Sequence, residues 1–423
     1  MIYNKNIFVN KKILIYGLGK SGTSSFNFLK NDNKVYLFDD KKKFLSKNRI
    51  LKIKYDFIII SPGIDVNKCK LKNFLKKNSK KIYTDLDVFR SRYKNKCVTI
   101  TGTNGKSTTC QLIYEIFKKQ GYDVKLAGNI GYPILSIKNI KPKSIFVIEA
   151  SSYQLDYSKI FNSKYSAILN ISPDHLERHK TLGNYIKAKF NLLKNQKSDS
   201  VTFVKKNDDN IRKFLKKTSF KGNIIKVNTN SKKNLSLKFK NNYFLSRSNK
   251  ENLLFVLQII NKFKINKKIL FKTIKNFKGL KYRQQTIFNK KNLKIINDSK
   301  STSYASSIEM LKSHENIYWL LGGIPKKGDK FYLPNMYLKN ITAYIFGRNS
   351  RKFIFDLKNK IKLKKFKDLA KAINSLSRDI KTDKSNIRTI LFSPAAASFD
   401  SFKNFEERGS FFNKMIKKKF NVK

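Results

Sequence analysis

The sequence contains few cysteines, glycines and prolines for its length of 423 residues, with 3, 17 and 7 respectively. The cysteines, Cys69, Cys97 and Cys110, form neither a CxxC pair nor another metal-binding spacing, which argues against disulfides or a zinc site and favours a reducing compartment. No apolar run approaches the length of a membrane span, and lysines interrupt the apolar N-terminal stretch, so a signal peptide is not expected. We therefore expect a soluble, cytoplasmic protein.

Acidic residues are also scarce, because 28 Asp and Glu accompany 92 Lys and Arg and give a formal net charge of +64. Such an excess is typical of proteins that bind nucleic acids or anionic surfaces. The lysines, however, are spread along the whole chain, and they occur with many Asn, Ile, Phe and Tyr residues, whose codons are AT-rich. We favour a compositional origin of the charge over the alternative, an ATP-dependent nucleic-acid-binding protein.

Apolar runs followed by turn and helical patterns occur in three groups, in a chain too long for a single hydrophobic core. The runs cover residues 13–17, 34–40 and 56–63; 97–102, 144–152 and 165–172; and 317–323, 341–347 and 387–395. Continuous apolar strands that alternate with helices predict parallel sheets. We therefore predict an α/β fold with domains at 1–94, 95–280 and 281–423. The Lys/Asn-rich tract from about Lys205 to Asn242 is predicted to contain exposed strands and loops.

A first glycine motif, GLGKSG at residues 17–22, follows a predicted strand and precedes a helical pattern, and Asp39 ends the next strand. Glycines in this position let the backbone approach a pyrophosphate at a helix N-terminus, and an acidic residue about twenty positions later can bind a ribose. By itself, the motif is compatible with an NAD site, with another nucleotide diphosphate site or with a tight turn.

A second glycine-rich loop, GTNGKST at residues 102–108, lies between a predicted strand and a helical pattern. Its two glycines are separated by two residues, whereas the common P-loop has four residues between its first glycine and the Gly-Lys pair. The helix N-terminus nevertheless offers free N–H groups and a partial positive charge. Lys106 adds a full charge, and the hydroxyl of Ser107 is a suitable Mg²⁺ ligand. The pattern predicts a nucleotide-binding loop of a shorter type.

Further polar residues follow the strands of the middle third. Glu149 ends one predicted strand, and Asn170 and the run from Ser172 to His175 follow the next. A carboxylate at the position of Glu149 can reach a bound metal from another side. An isolated histidine most often packs internally or lies at the surface, but the position of His175 beside two phosphate-binding segments favours a ligand or orienting role.

The segments GTNGKST, EASSYQL, LNISPDH and YIKAKFNLL occur in an order and spacing that resemble the Mur ligase family, and the resemblance covers essentially the whole chain. It implies an N-terminal Rossmann-like UDP-binding domain, a central P-loop-type ATPase domain and a C-terminal Rossmann-like domain. Members of this family join an amino acid to a carboxylate through an acyl phosphate, with ATP and Mg²⁺. Folylpolyglutamate synthetase shares their architecture.

The resemblance also assigns roles to individual residues. It implies that ATP is bound by Gly102, Thr103, Asn104, Gly105, Lys106, Ser107, Thr108, Asn249, Asn252, Arg283 and Asp298. Two Mg²⁺ ions would be held by Ser107, Glu149, His175 and Lys189, the last as a carbamate formed with CO₂. A carbamate supplies the oxygen ligands that a hard cation prefers and that an ammonium lacks. The implied catalytic residues are Lys106, Asn129, His175 and Lys189.

The last third contains NDSK at 297–300, SPAAASFD at 393–400 and FKNFEERG at 402–409, which resemble the branch that adds D-glutamate to UDP-N-acetylmuramoyl-L-alanine during peptidoglycan precursor synthesis. The implied partners are these substrates and ATP, without nucleic acid or membrane insertion, and the protein is expected to be a monomer. A sibling ligase that adds L-alanine or a diamino acid is the alternative within the family.

This branch implies that the first glycine motif belongs to a UDP-sugar site rather than an NAD site. The implied UDP-substrate residues are Gly19, Lys20, Ser21, Asp39, Ser61 and Gly63. The implied D-glutamate residues are Lys326, Ser398 and Phe405. The sequence departs from the family pattern at Lys20, Ser248, Tyr282, Ser301 and Ser303, which concerns the fine substrate contacts and not the reaction class.

Overall fold

A computed structural model of the chain describes residues 6–41, 45–230, 235–290, 292–383, 385 and 387–420. The chain forms two compact units. The first extends to Lys240 and also includes Lys250–Asn276, and the second consists of Asn241–Asn249 and the chain from Phe277 onward.

The first sheet belongs to the first unit and has the strand order β2-β1-β3-β4. Its strands are β1 (Lys12–Tyr16), β2 (Lys34–Phe38), β3 (Phe57–Ile60) and β4 (Ile82–Tyr83), and all the pairings described between them are parallel. The accompanying helices are α1 (Lys20–Leu29), α2 (Lys47–Leu51), α3 (Lys72–Lys77) and α4 (Asp85–Arg92). The apolar side chains of the central strand β1 are buried on both faces, as in a parallel sheet covered by helices.

The second sheet also belongs to the first unit and has the order β10-β9-β8-β5-β7-β6, with parallel pairing. Its strands are β5 (Lys96–Thr101), β6 (Val124–Gly128), β7 (Ile145–Glu149), β8 (Tyr165–Ile168), β9 (Val201–Lys205) and β10 (Asn223–Val227). The helices of this part of the chain are α5 (Lys106–Lys119), α6 (Ser152–Tyr157), α7 (Leu176–His179), α8 (Leu182–Lys194), α9 (Asp209–Leu215), α10 (Leu235–Phe239), α11 (Arg247–Ile260) and α12 (Lys267–Asn276). The first three residues of α11 belong to the second unit and the rest to the first. The carboxyl ends of the neighbouring strands β5, β7 and β8 lie at one edge, where parallel α/β sheets bind ligands.

The prediction of exposed strands and loops in the tract from Lys205 to Asn242 was incomplete. It includes β10, but also α9 and α10. Helix α9 is stabilised at its start by Asp208, whose side chain accepts a hydrogen bond from the backbone N–H of Ile211. Residues 231–234 of this tract lie outside the described residues.

The third sheet belongs to the second unit and has the order β11-β12-β16-β13-β14-β15. Its strands are β11 (Gln285–Lys290), β12 (Leu293–Asn297), β13 (Ile317–Gly322), β14 (Ile341–Phe346), β15 (Lys362–Phe366) and β16 (Arg388–Phe392). Its helices are α13 (Tyr304–Lys312), α14 (Ser350–Leu357), α15 (Leu369–Thr382) and α16 (Phe405–Phe420). Strand β11 pairs antiparallel with β12, so the expectation of purely parallel sheets was wrong at this edge.

The prediction of an α/β fold is confirmed, because each of the nine apolar runs contains a strand of the expected group. Short 3₁₀ helices occur at Ser79–Lys81, Ile134–Ser136, Asn242–Leu245 and Asn335–Tyr337. Within the part of the chain that the structure describes, no helix has the length and apolar character needed to cross a membrane.

Candidate active site

The second glycine loop connects β5 to α5 and packs against a residue far away in the sequence. Gly105, immediately before α5, has a φ of +85°, and a Cβ atom there would lie 2.1 Å from Oδ1 of Asn252. Only glycine therefore fits this position without strain and without displacing Asn252. The contact brings Asn252, one of the residues assigned to ATP, directly onto the phosphate loop.

Asn170, which follows β8, fixes the backbone of this loop. Its side-chain oxygen accepts a hydrogen bond from Asn104 N at 2.9 Å, and its Nδ2 donates to Asn104 O at 3.1 Å. Its own carbonyl accepts from Thr103 N at 2.9 Å. The position of Asn170 after a strand was noted in the sequence, but its role as a clamp on the loop could not be inferred from that position.

Two lysines converge on the carbonyl oxygen of Gly102. Lys106 Nζ lies 2.9 Å from this oxygen and 2.7 Å from Thr103 O, and Lys189 Nζ lies 2.7 Å from Gly102 O. Lys189 projects from α8 and is 1% exposed. Burial, and then the charge of Lys106, hold the pKa of Lys189 well below its ordinary value. This environment favours a neutral, nucleophilic amine at Lys189.

Glu149 connects the loop to a second candidate residue. The hydroxyl of Ser107 donates to Glu149 Oε2 at 2.5 Å, and Asn129 Nδ2 donates to Glu149 Oε1 at 2.7 Å. Ser107 is the second residue of α5, and Asn129 directly follows β6. The structure therefore brings Ser107, Glu149 and Asn129 together, and a hydroxyl beside a carboxylate is a donor set that suits Mg²⁺.

His175 lies at the start of α7 with a φ of +55°. Its Nδ1 is 2.8 Å from the hydroxyl oxygen of Tyr153, and its Nε2 is 3.5 Å from Asp174 Oδ2. In the described residues, no group of three or more His, Cys, Asp or Glu side chains forms a complete metal cage.

The first glycine motif borders a cavity of about 470 Å³ in the first unit. The residues assigned to the UDP-substrate all line it, namely Gly19, Lys20, Ser21, Asp39, Ser61 and Gly63. Asn129 lines the same cavity. Since Asn129 also donates to Glu149, it connects the glycine-motif cavity, through Glu149, with Ser107 of the phosphate loop.

Close backbone packing shapes the glycine motif. A Cβ atom at Gly22 would lie 1.8 Å from Gly17 O, so a larger residue there would displace the loop. Ser61 donates its hydroxyl to the same carbonyl at 2.6 Å. The carboxylate of Asp39 accepts hydrogen bonds from Leu18 N at 2.6 Å and from Lys41 N at 2.9 Å. Asp39 thus orients the loop at the rim of the cavity.

In the second unit, Asp298 is buried directly after β12. Gln284 N and the Ser393 hydroxyl each donate to its carboxylate at 3.0 Å. Burial raises the pKa of Asp298 to about 7, although these hydrogen bonds oppose the shift. A carboxyl group with such a pKa is typical of functional sites. Asp298 was assigned to ATP from the sequence, whereas the supporting role of Ser393 was missed.

Phe405 begins α16 beside two cationic side chains. Lys300 Nζ lies 4.1 Å from the centre of its ring, and the guanidinium carbon of Arg283 lies 5.8 Å from it. The carbonyl of Phe405 accepts a hydrogen bond from the Ser299 hydroxyl at 2.9 Å. Buried Arg408 supports this region by donating to Ser299 O at 2.7 Å, a contact that the sequence did not predict.

The other candidates of the second unit have more local environments. The buried side chain of Asn249 donates to Tyr243 O at 3.0 Å. Ser398 is buried, and its carbonyl accepts from the backbone N–H of Phe402 at 2.9 Å. Lys326 is half-buried after β13, where its carbonyl accepts from Asp329 N.

These features define a nucleotide-binding α/β protein, and comparison with known proteins identifies its family. Residues 100–273 match the Mur ligase middle domain. The chain is 33% identical to the UDP-N-acetylmuramoylalanine--D-glutamate ligase of Rickettsia prowazekii (strain Madrid E), over 98% of this chain and 99% of the relative. It is 35% identical to the protein of the same name from Buchnera aphidicola subsp. Schizaphis graminum (strain Sg), over 99% of both. The chain therefore belongs to the Mur ligase family.

Solved structures show the same fold. UDP-N-acetylmuramate-alanine ligase MurC from Thermotoga maritima gives a TM-score of 0.54 at 16% identity and covers 97% of this chain and 100% of its own. MurF ligase from Thermotoga maritima, solved in complex with ADP, gives 0.56 at 14% identity and covers 99% of this chain and 97% of its own. The predicted α/β fold is thereby confirmed, and its three sheets lie in two compact units, two in the first and one in the second.

Proposed function

We propose that the protein uses ATP to ligate D-glutamate to UDP-N-acetylmuramoyl-L-alanine, a step of peptidoglycan precursor synthesis. The names of the two relatives described above support this choice over a sibling ligase. The observation that carries the proposal is the position of Asn129. It lines the glycine-motif cavity and donates to Glu149, which accepts the hydroxyl of Ser107 in the phosphate loop. A carboxylate presented from that cavity would meet a triphosphate bound at the loop.

The first chemical step requires two anions to approach each other. In the proposal, Lys106 and the N-terminus of α5 offset the charge of the phosphates, while Asn129 orients the carboxylate of the sugar nucleotide. A carboxylate oxygen attacks the γ-phosphorus, the bond to the β–γ bridging oxygen breaks, and ADP leaves. The product is an acyl phosphate.

The second step forms the amide bond. The uncharged amine of D-glutamate attacks the carbonyl carbon of the acyl phosphate, inorganic phosphate leaves, and the nitrogen loses a proton. We assign Lys326, Ser398 and Phe405 to D-glutamate, and Arg283, Asp298 and Asn249 to ATP. A lysine ammonium such as that of Lys326 would attract the substrate carboxylates.

Two Mg²⁺ ions are part of the proposal and, when bound, would stabilise the charge that develops on the transferring phosphoryl group. Ser107 and Glu149 would hold one ion, and His175 and a carbamate on Lys189 would contribute to the second. The depressed pKa of Lys189 supports the carbamate, because an amine must be neutral to react with CO₂. We further propose domain limits at 1–94, 95–280 and 281–423, and a monomer that acts in the cytoplasm.

The test measures phosphate release with UDP-N-acetylmuramoyl-L-alanine, ATP, Mg²⁺ and a panel of amino acids. We expect release with D-glutamate and not with L-alanine or a diamino acid. Substrate labelled with ¹⁸O in its carboxylate should transfer one labelled oxygen to phosphate as the amide forms. Activity with another amino acid alone would overturn the assigned substrate, and amide formation without ¹⁸O transfer would overturn the acyl phosphate.

A further inference from the structure

Tyr153 on α6 contacts His175 but has no part in the mechanism described above. Its hydroxyl oxygen lies 2.8 Å from His175 Nδ1, and the two ring centres are 4.9 Å apart. His175 follows β8 and Tyr153 follows β7, the two parallel strands that flank β5, so both residues lie at the same edge of the sheet. The contact raises the question of which imidazole nitrogen carries the proton.

A histidine that binds a metal through one nitrogen usually donates the N–H of the other nitrogen to an oxygen, which fixes the tautomer and the ring orientation. Nδ1 of His175 faces the hydroxyl oxygen of Tyr153 at 2.8 Å and Glu177 Oε1 at 3.5 Å. Tyr153 is the one within normal hydrogen-bonding distance. A carboxylate such as that of Glu177 only accepts hydrogen bonds and the Tyr153 hydroxyl can accept one, so both can take a proton carried on Nδ1. In that tautomer the lone pair lies on Nε2, which is 3.5 Å from Asp174 Oδ2.

Arg178 connects Tyr153 to the glycine-motif cavity. The carbon of its guanidinium group lies 4.3 Å from the centre of the Tyr153 ring, a distance typical of a cation–π contact. Its Nη1 donates to Pro62 O at 2.9 Å, and Pro62 lines the cavity. A continuous series of contacts therefore runs from Pro62 through Arg178 and Tyr153 to His175.

We propose that Tyr153 and Arg178 are positioning residues. Tyr153 selects the tautomer of His175 that can bind a metal through Nε2, and Arg178 holds Tyr153 in place against the rim of the glycine-motif cavity. The inference rests on the proposed function for the metal-binding role of His175. Occupancy of the cavity and the orientation of His175 are then coupled through Pro62. Lysine could not replace Arg178 fully, because it lacks the planar group that stacks and donates at the same time.

The direct test reads the tautomer of His175 by ¹⁵N NMR in the metal-free protein at pH 8.5, without any assay of activity. The chain has only three histidines, so their signals can be assigned by substitution. We expect His175 to be protonated mainly on Nδ1, and Tyr153→Phe to shift it toward the Nε2–H form. His314 is an internal reference, because its Nδ1 faces the carbonyl of Met310 at 3.0 Å and can only donate to it.

Tyr157→Phe is the matched control, because Tyr157 ends the same helix and its hydroxyl makes no side-chain hydrogen bond within the described residues. It should leave the ¹⁵N shifts of His175 unchanged. Identical His175 shifts in the wild type and in Tyr153→Phe would overturn the proposal. Because this measurement involves neither substrate nor turnover, it decides the inference even if the proposed ligase reaction fails.

The kinetic test separates positioning from a purely structural role. Tyr153→Phe should lower kcat about 10-fold and raise the Mg²⁺ concentration for half-maximal rate, with the KM for the sugar nucleotide within twofold of wild type. Arg178→Lys should also change kcat and the Mg²⁺ dependence and should, in addition, raise the KM for the sugar nucleotide. Wild-type kcat and Mg²⁺ dependence in Tyr153→Phe would contradict the proposal. An inactive wild-type protein would overturn the proposed function, while the NMR result would still decide the tautomer.

Discussion

Lys189 is the single residue whose surroundings differ most from those of an ordinary lysine. It is one of 92 basic residues, yet it is buried and shares a carbonyl acceptor with Lys106. Desolvation and a neighbouring cation both disfavour its charged form, so the pKa falls. The sequence motif located this lysine by resemblance, but the burial that makes its chemistry plausible follows from the packing of α8 against the loop.

We predict that Lys189→Ala reduces phosphate release at least 100-fold and that added formate or acetate restores part of it, since a small carboxylate can occupy the place of the carbamate. The measurement is steady-state phosphate release with and without 50 mM of each acid. Lys187→Ala, an exposed change on the same helix, is the control and should keep wild-type activity. Full activity of Lys189→Ala in CO₂-depleted buffer would refute the carbamate.

Asp298 gives a pH-dependent prediction that concerns the stability of the second unit. Its pKa is raised to about 7, so between pH 4 and 7 the folded state binds a proton that the unfolded state has released. Stability therefore falls as pH rises through this range, by up to about 1.4 kcal/mol per pH unit. His314 acts in the opposite direction. Burial lowers its pKa to about 4, so its contribution to the stability of the second unit increases as pH rises from about 4 to about 6.5.

The comparison of wild type with Asp298→Asn isolates the first effect, since both proteins contain His314. We predict that the stability of the wild type relative to Asp298→Asn declines from pH 4 to 7 and is constant above about pH 8. Trp319, the only tryptophan, is buried in β13, so its fluorescence during urea unfolding reports on the second unit. If the unfolding free energies of the two proteins changed in parallel with pH, Asp298 would have an ordinary pKa and the prediction would be wrong.

Among the elements, the shortened phosphate loop depends most clearly on backbone geometry. An alanine at Gly105 would adopt a left-handed conformation at a cost of roughly 1–2 kcal/mol and would also collide with Asn252. We predict that Gly105→Ala raises the KM for ATP at least 10-fold. Asn252→Ala removes the collision but leaves the strained φ angle at position 105. Adding Gly105→Ala to Asn252→Ala should therefore still raise the KM for ATP, but by a smaller factor than Gly105→Ala does in the wild type. Steady-state kinetics of the three variants test this, and an unchanged KM in Gly105→Ala would contradict it.

The strands and the phosphate loop were predictable because their signals are local. Buried runs such as those in β5 and β13 are continuous and apolar, and each precedes a turn. Strand β15, with the sequence KLKKF, could not be predicted in this way, since it forms through its pairing with β14. Helix α9 was missed because its apolar residues are few, although Asp208 is a standard capping residue.

The candidate site was predictable only to the level of its motifs. The order of the glycine loop, Glu149, His175 and Lys189 along the chain predicted their type of chemistry. The contacts that orient these residues connect positions far apart in sequence, such as Arg178 with Pro62 and Asn252 with Gly105. Such contacts depend on how helices and loops pack over the sheet, and a single sequence contains no direct record of that packing.

At the scale of the whole molecule, the most unusual property is the net charge of +64. A field summed over many scattered lysines attracts any anion, including both nucleotide substrates, without requiring a dedicated binding surface. Salt screens such a field over about 10 Å at 0.1 M ionic strength, whereas contacts within a partly buried site are screened much less. The charge should therefore influence how substrates are captured more than how they react.

We predict that raising KCl from 20 to 300 mM increases the KM for the sugar nucleotide several-fold and leaves kcat within twofold. Because no single charge dominates a distributed field, Lys367→Gln, which removes one exposed lysine, should show nearly the same salt dependence as the wild type. Steady-state kinetics at constant free Mg²⁺ provide the measurement. If high salt lowered kcat in addition to raising the KM, salt would be acting on the reacting groups, and the prediction would be wrong. A discrete nucleic-acid complex in a gel shift at physiological ionic strength would instead favour a binding role for the charge, since scattered lysines alone should give only weak, salt-sensitive association.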